Sequence, residues 1–284
     1  MIRGIITDID GVIIGDKIGY NSPFPHPDVT SRIKQIHASG IPVTLCTGKP
    51  HYAVEKIITD CALNTPHITD GGAIIIDPIT NTIIQKHVIE KSLVMKVVSA
   101  YLNATMYTEI YTQHGYYIQK NQYREVLTNA HTHVLQTPPI IIDDLLQIAA
   151  TEEIIKVMPI AIDENDTLRL RTIFAAFADR LTLSVASHPV AAPHQFGLIT
   201  KKSVSKKQAA IDVSTALHIK LSECLGVGDS TSDWNFMELC GSVATVENAT
   251  EELKRLVTAK TTGGFIGPSV DENGILPILE HFAL

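Results

Sequence analysis

The chain has 284 residues, 45% of them hydrophobic and 19% charged. That composition excludes a disordered or collagen-like chain and fits one large domain or two modest ones. Lys and Arg total 23 against 30 Asp and Glu, a net charge of −7, which argues against a nucleic-acid binder or an anionic-membrane protein but leaves open a small anionic substrate whose charge a metal ion offsets.

The N-terminal stretch lacks a basic segment followed by a long apolar run. Residues 3–8, rich in Ile, are therefore predicted as a first strand and not a secretory leader. No apolar run approaches the roughly 18 residues of a spanning helix. Four cysteines, Cys46, Cys61, Cys224 and Cys240, contain no CxxC pair, so reduced thiols and a cytoplasmic location are expected. Val29, Ile33 and Ile36 have helical spacing over 27–39, and Gly40 stops that helix. A buried-type strand follows at 41–46. Pro50 opens a helix running to Cys61, 66–69 is a third strand, and 73–76 with 82–85 form a hairpin.

The middle has a different rhythm. A helix is predicted over 93–102, and paired strands over 105–112 and 116–120. Helix, strand, helix and strand follow at 143–149, 154–162, 166–178 and 181–185. Beyond about 195 the first rhythm returns. It gives a helix at 205–217, a strand at 224–227 ending in Gly228-Asp229, a helix start at 232–239, a strand at 242–246 and a last well-formed helix at 249–259. The fold class is α/β. Residues 1–83 and 196–284 build a doubly wound parallel-sheet core, interrupted by an α+β module over 84–195.

In open parallel sheets, sites form beyond the carboxyl ends of the strands. Those ends deliver Asp8-Ile9-Asp10-Gly11, Thr47-Gly48-Lys49 and Gly228-Asp229-Ser230-Thr231-Ser232-Asp233. Asp8 and Asp10, two apart, share one face of a strand. Asp229 and Asp233 are one helical turn apart. Four converging carboxylates need a cation, and oxygen-only ligands suit Mg2+. A Thr-Gly step before a helix offers a hydroxyl and free amides to phosphate oxygens. Lys206 or Lys207, just inside the helix after Ser205, is placed to neutralise a phosphate. Each string alone also has an ordinary explanation as a strand end, a helix N-cap or a solvated basic face. His131 and His133 would face one side if on a strand and could bind a metal, but surface histidines are the plainer assignment; His188 and His194, near the hinge, could touch substrate and are likewise assigned to the surface. Cys46 is assigned to packing.

The order DxDG, strand-Thr-Gly, Lys, GDxxxD resembles the haloacid dehalogenase (HAD) superfamily, and the insertion between the second and third motifs resembles its Cof-type sugar phosphatases with an α/β cap. The tail Asn273-Gly274-Ile275 is similar to that group's ending. The resemblance implies Asp8 as the nucleophile and Asp10 as the acid/base. It implies Thr47 and Gly48 on the phosphoryl oxygens and Lys206 holding phosphate and nucleophile. Mg2+ would lie among Asp8, Asp10 (through its carbonyl) and Asp229, with Asp233 supporting the metal shell. Val12, Lys49 and Ser232 depart from the usual Thr, Arg and Asn. The activity implied is hydrolysis of a small phosphorylated metabolite, such as a sugar phosphate, with no nucleic-acid or membrane partner. A phosphomutase of the same superfamily is the alternative, and a silent binding protein ranks below both because nucleophile and acid/base are present.

Overall fold

The computed structural model describes residues 2–261 and 263–284. Strand β1 (Gly4–Thr7) leads to helix α1 (Pro27–Ala38), β2 (Val43–Leu45), α2 (Glu55–Asp60), β3 (His67–Thr69), β4 (Ile74–Asp77) and β5 (Thr82–Lys86). There follow α3 (Lys91–Asn103), β6 (Tyr107–Tyr111), β7 (Tyr116–Gln119), α4 (Glu125–Leu135), β8 (Ile140–Ile142), α5 (Leu145–Thr151), β9 (Lys156–Ala161), α6 (Glu164–Phe174), β10 (Leu181–Ser187) and β11 (Gln195–Lys201). The chain closes with α7 (Lys206–Ala216), β12 (Cys224–Val227), α8 (Trp234–Met237), β13 (Ser242–Val246), α9 (Glu251–Thr258), β14 (Gly264–Gly267) and α10 (Ile275–His281).

These elements form two compact units. The first comprises Met1–Gly48, Val54–Gln85 and Ser205–Leu284; the second comprises Lys49–Ala53 and Lys86–Val204. In the first unit a five-stranded sheet runs β14-β13-β12-β1-β2, with every pairing parallel. Its central strands are short runs of Ile, Leu and Val because helices cover both faces, so no polar face is needed. All four residues of β1 and all four of β12 are buried. The chain leaves β1 for β2 on one side and later returns to β12 on the other. The strand order therefore reverses between β1 and β12, which opens a crevice at their carboxyl ends. A smaller sheet, β3-β4-β5, joins the first through a bridge between Cys46 and Ile68.

The second unit is a six-stranded sheet, β10-β11-β9-β6-β7-β8. Along β6 the period-2 alternation sends Ile110 to a face packed by α3, α5 and α6, while Tyr107 and Tyr111 face a second cluster containing Leu127 and Leu135 of α4. This unit extends to Val204 and not only to 195, because β11 pairs with both β9 and β10. Five elements lie outside those predicted from the sequence: α4, β8, β11, β14 and α10. Helix α10 follows the helix predicted to be last, and its Ile275, Ile278 and Leu279 are buried at helical spacing.

Candidate active site

Asp8 directly follows β1, and Asp229 follows β12 after Gly228, so the two strands flanking the topological switch each deliver a carboxylate. Carboxylate oxygens of Asp8, Asp229 and Asp233 all lie within 4.8 Å of one another. Asp8 is fixed at both oxygens: Oδ1 accepts the Ile9 N–H at 2.8 Å and Oδ2 lies 3.2 Å from Lys206 Nζ. Burial, then the Asp233 and Asp10 carboxylates, push the Asp8 carboxyl up to about 7, while Lys206 pulls it down. Burial, followed by Asp233 and Asp8, also holds Asp229 well above the carboxylate range. These are the marks of buried acidic groups whose mutual repulsion the single Lys206 ammonium only partly offsets.

Asp233 sits differently. It is fully buried, and its oxygens are already engaged. Oδ1 accepts from Lys206 Nζ at 2.7 Å, and Oδ2 accepts from the Ser230 N–H at 3.1 Å, the Ser230 hydroxyl at 2.9 Å and the Asp229 N–H at 3.3 Å. Its chemistry is that of a brace: it orients the 229–230 turn and the lysine. Oxygens of Asp8 and Asp229 are better placed to take a metal. The set is all oxygen and crowded, with Asp8 and Asp233 buried and Asp229 partly so, which fits a hard divalent cation such as Mg2+.

Lys206 is the first residue of α7, whose N-cap is Ser205; the Ser205 Oγ accepts the Gln208 N–H at 3.1 Å. A cation there opposes the helix dipole. Burial also disfavours the charge, but Asp233 and Asp8 outweigh it and hold the ammonium well above its ordinary value. Lys207 points elsewhere, to Glu238 at 2.7 Å. Of the two candidate lysines, Lys206 is the one at the carboxylates.

Gly11 lies at φ +76°, and a Cβ there would stand 2.1 Å from Asp229 Oδ2. Only glycine permits the chain to turn this close to the second carboxylate. Thr47 is buried; its N–H donates to the Ile68 carbonyl at 2.9 Å and its carbonyl accepts the Gly71 N–H at 3.0 Å. Gly48 faces open space on its side-chain side. Two contributors were not singled out from the sequence. One is the Asp70-Gly71-Gly72 turn, which holds Thr47 and leaves no room for a Cβ at Gly72, 2.5 Å from the Ser205 carbonyl oxygen. The Gly-Gly pair after β3 was its available signal. The other is Asn248, for which a lone Asn offers none.

Outside this cluster, Lys49 Nζ donates to the Val134 carbonyl at 2.6 Å within the second unit. His131 and His133 lie on helix α4 and not on a strand. His131 is not at the surface: it is buried, with Nδ1 3.0 Å from Glu109 Oε1. His188 is buried as well, and His194 Nδ1 contacts the Ala191 carbonyl at 2.7 Å. Cys46 is buried and its thiol is pushed upward by burial, as packing requires.

A switch-point crevice holding an acidic cluster braced by one lysine defines a hydrolase scaffold of the phosphoryl-transfer kind. Residues 5–279 match the family model of haloacid dehalogenase-like hydrolases, and the chain belongs to that family. It is 24% identical to phosphatase YwpJ of Bacillus subtilis, with 98% of each chain covered. It is also 24% identical to 5-amino-6-(5-phospho-D-ribitylamino)uracil phosphatase YwtE of the same organism, over 98% of this chain and 96% of that one. The fold is shared with a haloacid dehalogenase-like hydrolase from Bacteroides thetaiotaomicron (TM-score 0.81, 15% identity, 99% and 100% covered). It is likewise shared with the HAD subclass IIB sugar phosphatase BT4131 (TM-score 0.77, 18% identity, 99% of both chains).

Proposed function

We propose that this hydrolase is a Mg2+-dependent phosphatase that releases phosphate from a small phosphorylated metabolite, a sugar phosphate foremost, through an aspartyl-phosphate on Asp8. The observation that carries the proposal is the Asp8 carboxylate at the β1 end, 3.2 Å from the Lys206 ammonium and within 4.8 Å of the Asp229 and Asp233 oxygens. The names of the relatives YwpJ and YwtE agree with phosphatase chemistry. Asp8, Asp229 and the Asp10 carbonyl would hold Mg2+, which when bound neutralises phosphate charge and keeps Asp8 ionised.

An Asp8 carboxylate oxygen attacks phosphorus, and the substrate's ester oxygen departs. Lys206 spreads the developing charge on the phosphoryl oxygens, assisted by the Thr47 hydroxyl and the Gly48 N–H. Asp10, two residues on, gives its proton to the leaving alkoxide. It then takes a proton from the water that attacks phosphorus and frees Asp8. Electrostatic influence of Asp10 on both Asp8 and Asp229 is consistent with its lying beside them. Asp233 holds Lys206 and the 229–230 turn in register. The second unit, joined to the first at four chain crossings, is assigned the selection of substrate.

The test is phosphate release from a panel of phosphorylated sugars and related monoesters, with Mg2+ and with EDTA. Mg2+-dependent release from at least one class is predicted. No release from any member, or release unchanged in EDTA, contradicts the proposal.

A further inference from the structure

The loop between β13 and α9 meets both acidic loops. Asn248 Nδ2 donates to the Gly11 carbonyl at 2.9 Å, and the Thr250 N–H donates to the Asp229 carbonyl at 2.9 Å. One four-residue segment thus ties the turn after Asp8 and Asp10 to the turn that carries Asp229. The other end of Asn248 is held as well: its Oδ1 accepts the Val270 N–H at 2.8 Å and the Ser269 hydroxyl at 3.4 Å. Asn21 Nδ2, on the loop that follows the first motif, donates to the Val270 carbonyl at 3.1 Å. Asn248 is therefore a bridge from the C-terminal segment to the Asp10-Gly11 turn.

That turn needs an external tether. Gly11 has φ +76°, and its N–H bonds locally to the Ile14 carbonyl at 2.8 Å. A glycine in this region can rotate its peptide at little steric cost. Rotation at Gly11 would change the direction in which the chain leaves the Asp10-Gly11 turn and loosen that turn against Asp229. A side-chain amide on the Gly11 carbonyl restrains that peptide without adding charge beside the carboxylates.

We propose that Asn248 is a positioning residue that locks the Asp10-Gly11 turn against the Asp229 turn, setting the geometry in which Mg2+ and the acid/base operate; this rests on the metal-site reading above. It acts through Gly11 and touches no reacting atom. Its substitution should weaken metal binding and catalysis without unfolding the protein, since Asn248 is exposed.

The experiment measures Mg2+ affinity by calorimetry, without substrate, for the wild type, Asn248→Ala and Ser269→Ala. Metal-free stability in EDTA is measured alongside. Asn248→Ala is predicted to raise the Mg2+ Kd about 5- to 10-fold, the effect of one lost hydrogen bond, and to lower kcat at saturating Mg2+. Ser269→Ala, which removes a tail contact to the same Oδ1, is predicted to leave the Kd within about twofold. An Asn248→Ala Kd within about twofold of wild type overturns the proposal. So does an equal loss in Ser269→Ala, because the effect would then pass through the tail. A wild type that binds no Mg2+ at millimolar concentration removes the metal-site reading itself, and this inference with it.

Discussion

Asp233→Asn removes one charge and one acceptor from a fully buried brace. Asp233 accepts four hydrogen bonds, one from Lys206 and three from the 229–230 turn. An asparagine has one acceptor oxygen and an NH2. If the oxygen faces the turn, the NH2 meets the Lys206 ammonium, and that contact was 2.7 Å in the carboxylate form. Losing that charge-assisted bond costs about 1.5–3 kcal/mol, and the three turn bonds weaken because their acceptor becomes neutral. The opposing effect is relief of crowding. Asp233 raises the Asp8 carboxyl, but burial is the larger cause, so the relief offsets only part of that cost. The net loss is about 1 kcal/mol. Urea unfolding in EDTA, followed by fluorescence of Trp234, reads this directly, because Trp234 is the only tryptophan and adjoins Asp233. The midpoint should fall by about 0.5 M, with m near 2 kcal/mol/M and unchanged. An unchanged or raised midpoint would refute the reasoning, because repulsion and not bracing would then dominate at Asp233.

Other outcomes follow from the same geometry. Asp8→Asn should lower turnover by at least about 10³-fold, an amide being a poor nucleophile, with metal-free stability at pH 8 not reduced; near-wild-type turnover in the folded variant removes Asp8 from its role. EDTA should silence hydrolysis and Mg2+ restore it, and Mg2+ should raise the unfolding temperature and release protons near pH 7, since Asp8, pushed up to about 7, must ionise to bind metal; an unfolding temperature indifferent to Mg2+ argues against the site. His67 is buried and lowered to about 3 by burial and then by His37, with its Nδ1 accepting the Leu45 N–H at 3.1 Å. It stays neutral in the folded chain while the unfolded chain takes up a proton, so its contribution is intact above pH 6.5 and is lost on acidification from there toward 3, by about 1.4 kcal/mol per pH unit. His67→Asn should flatten that slope, and an identical slope would exclude His67 as its source.

Much of the core was legible because its strands are short apolar runs with chemistry at their ends. β1, β2 and β12 each stop within two residues of Asp8, Thr47 or Asp229. The family motifs then pointed to Lys206, and its first-turn position against the helix dipole is the kind of local conflict that marks a site. Helix α4 was missed because its buried polar residues, Thr128 and His131, break the apolar periodicity. Their environment comes from Glu109 on β6 and the tyrosines beside it, contacts that lie 22 residues away for the Glu109–His131 pair. Asn248 was invisible for a similar reason: its value lies in bonds to Gly11 and Val270, 237 and 22 residues away. The segment 195–201 falls in the second unit, although the core's strand–helix rhythm is expected to return from about 195. Its strand character comes from pairing with β9 and β10.

Trapping the intermediate tests the central claim most directly. The protein, mixed with a hydrolysed substrate and Mg2+, is quenched in acid during turnover, treated with borohydride and mapped by mass spectrometry. An acyl phosphate at Asp8 is reduced to homoserine, so the account predicts homoserine at position 8, dependent on substrate and absent without Mg2+. Continued turnover with an unmodified Asp8, or homoserine at Asp10 or Asp229 in its place, would contradict it.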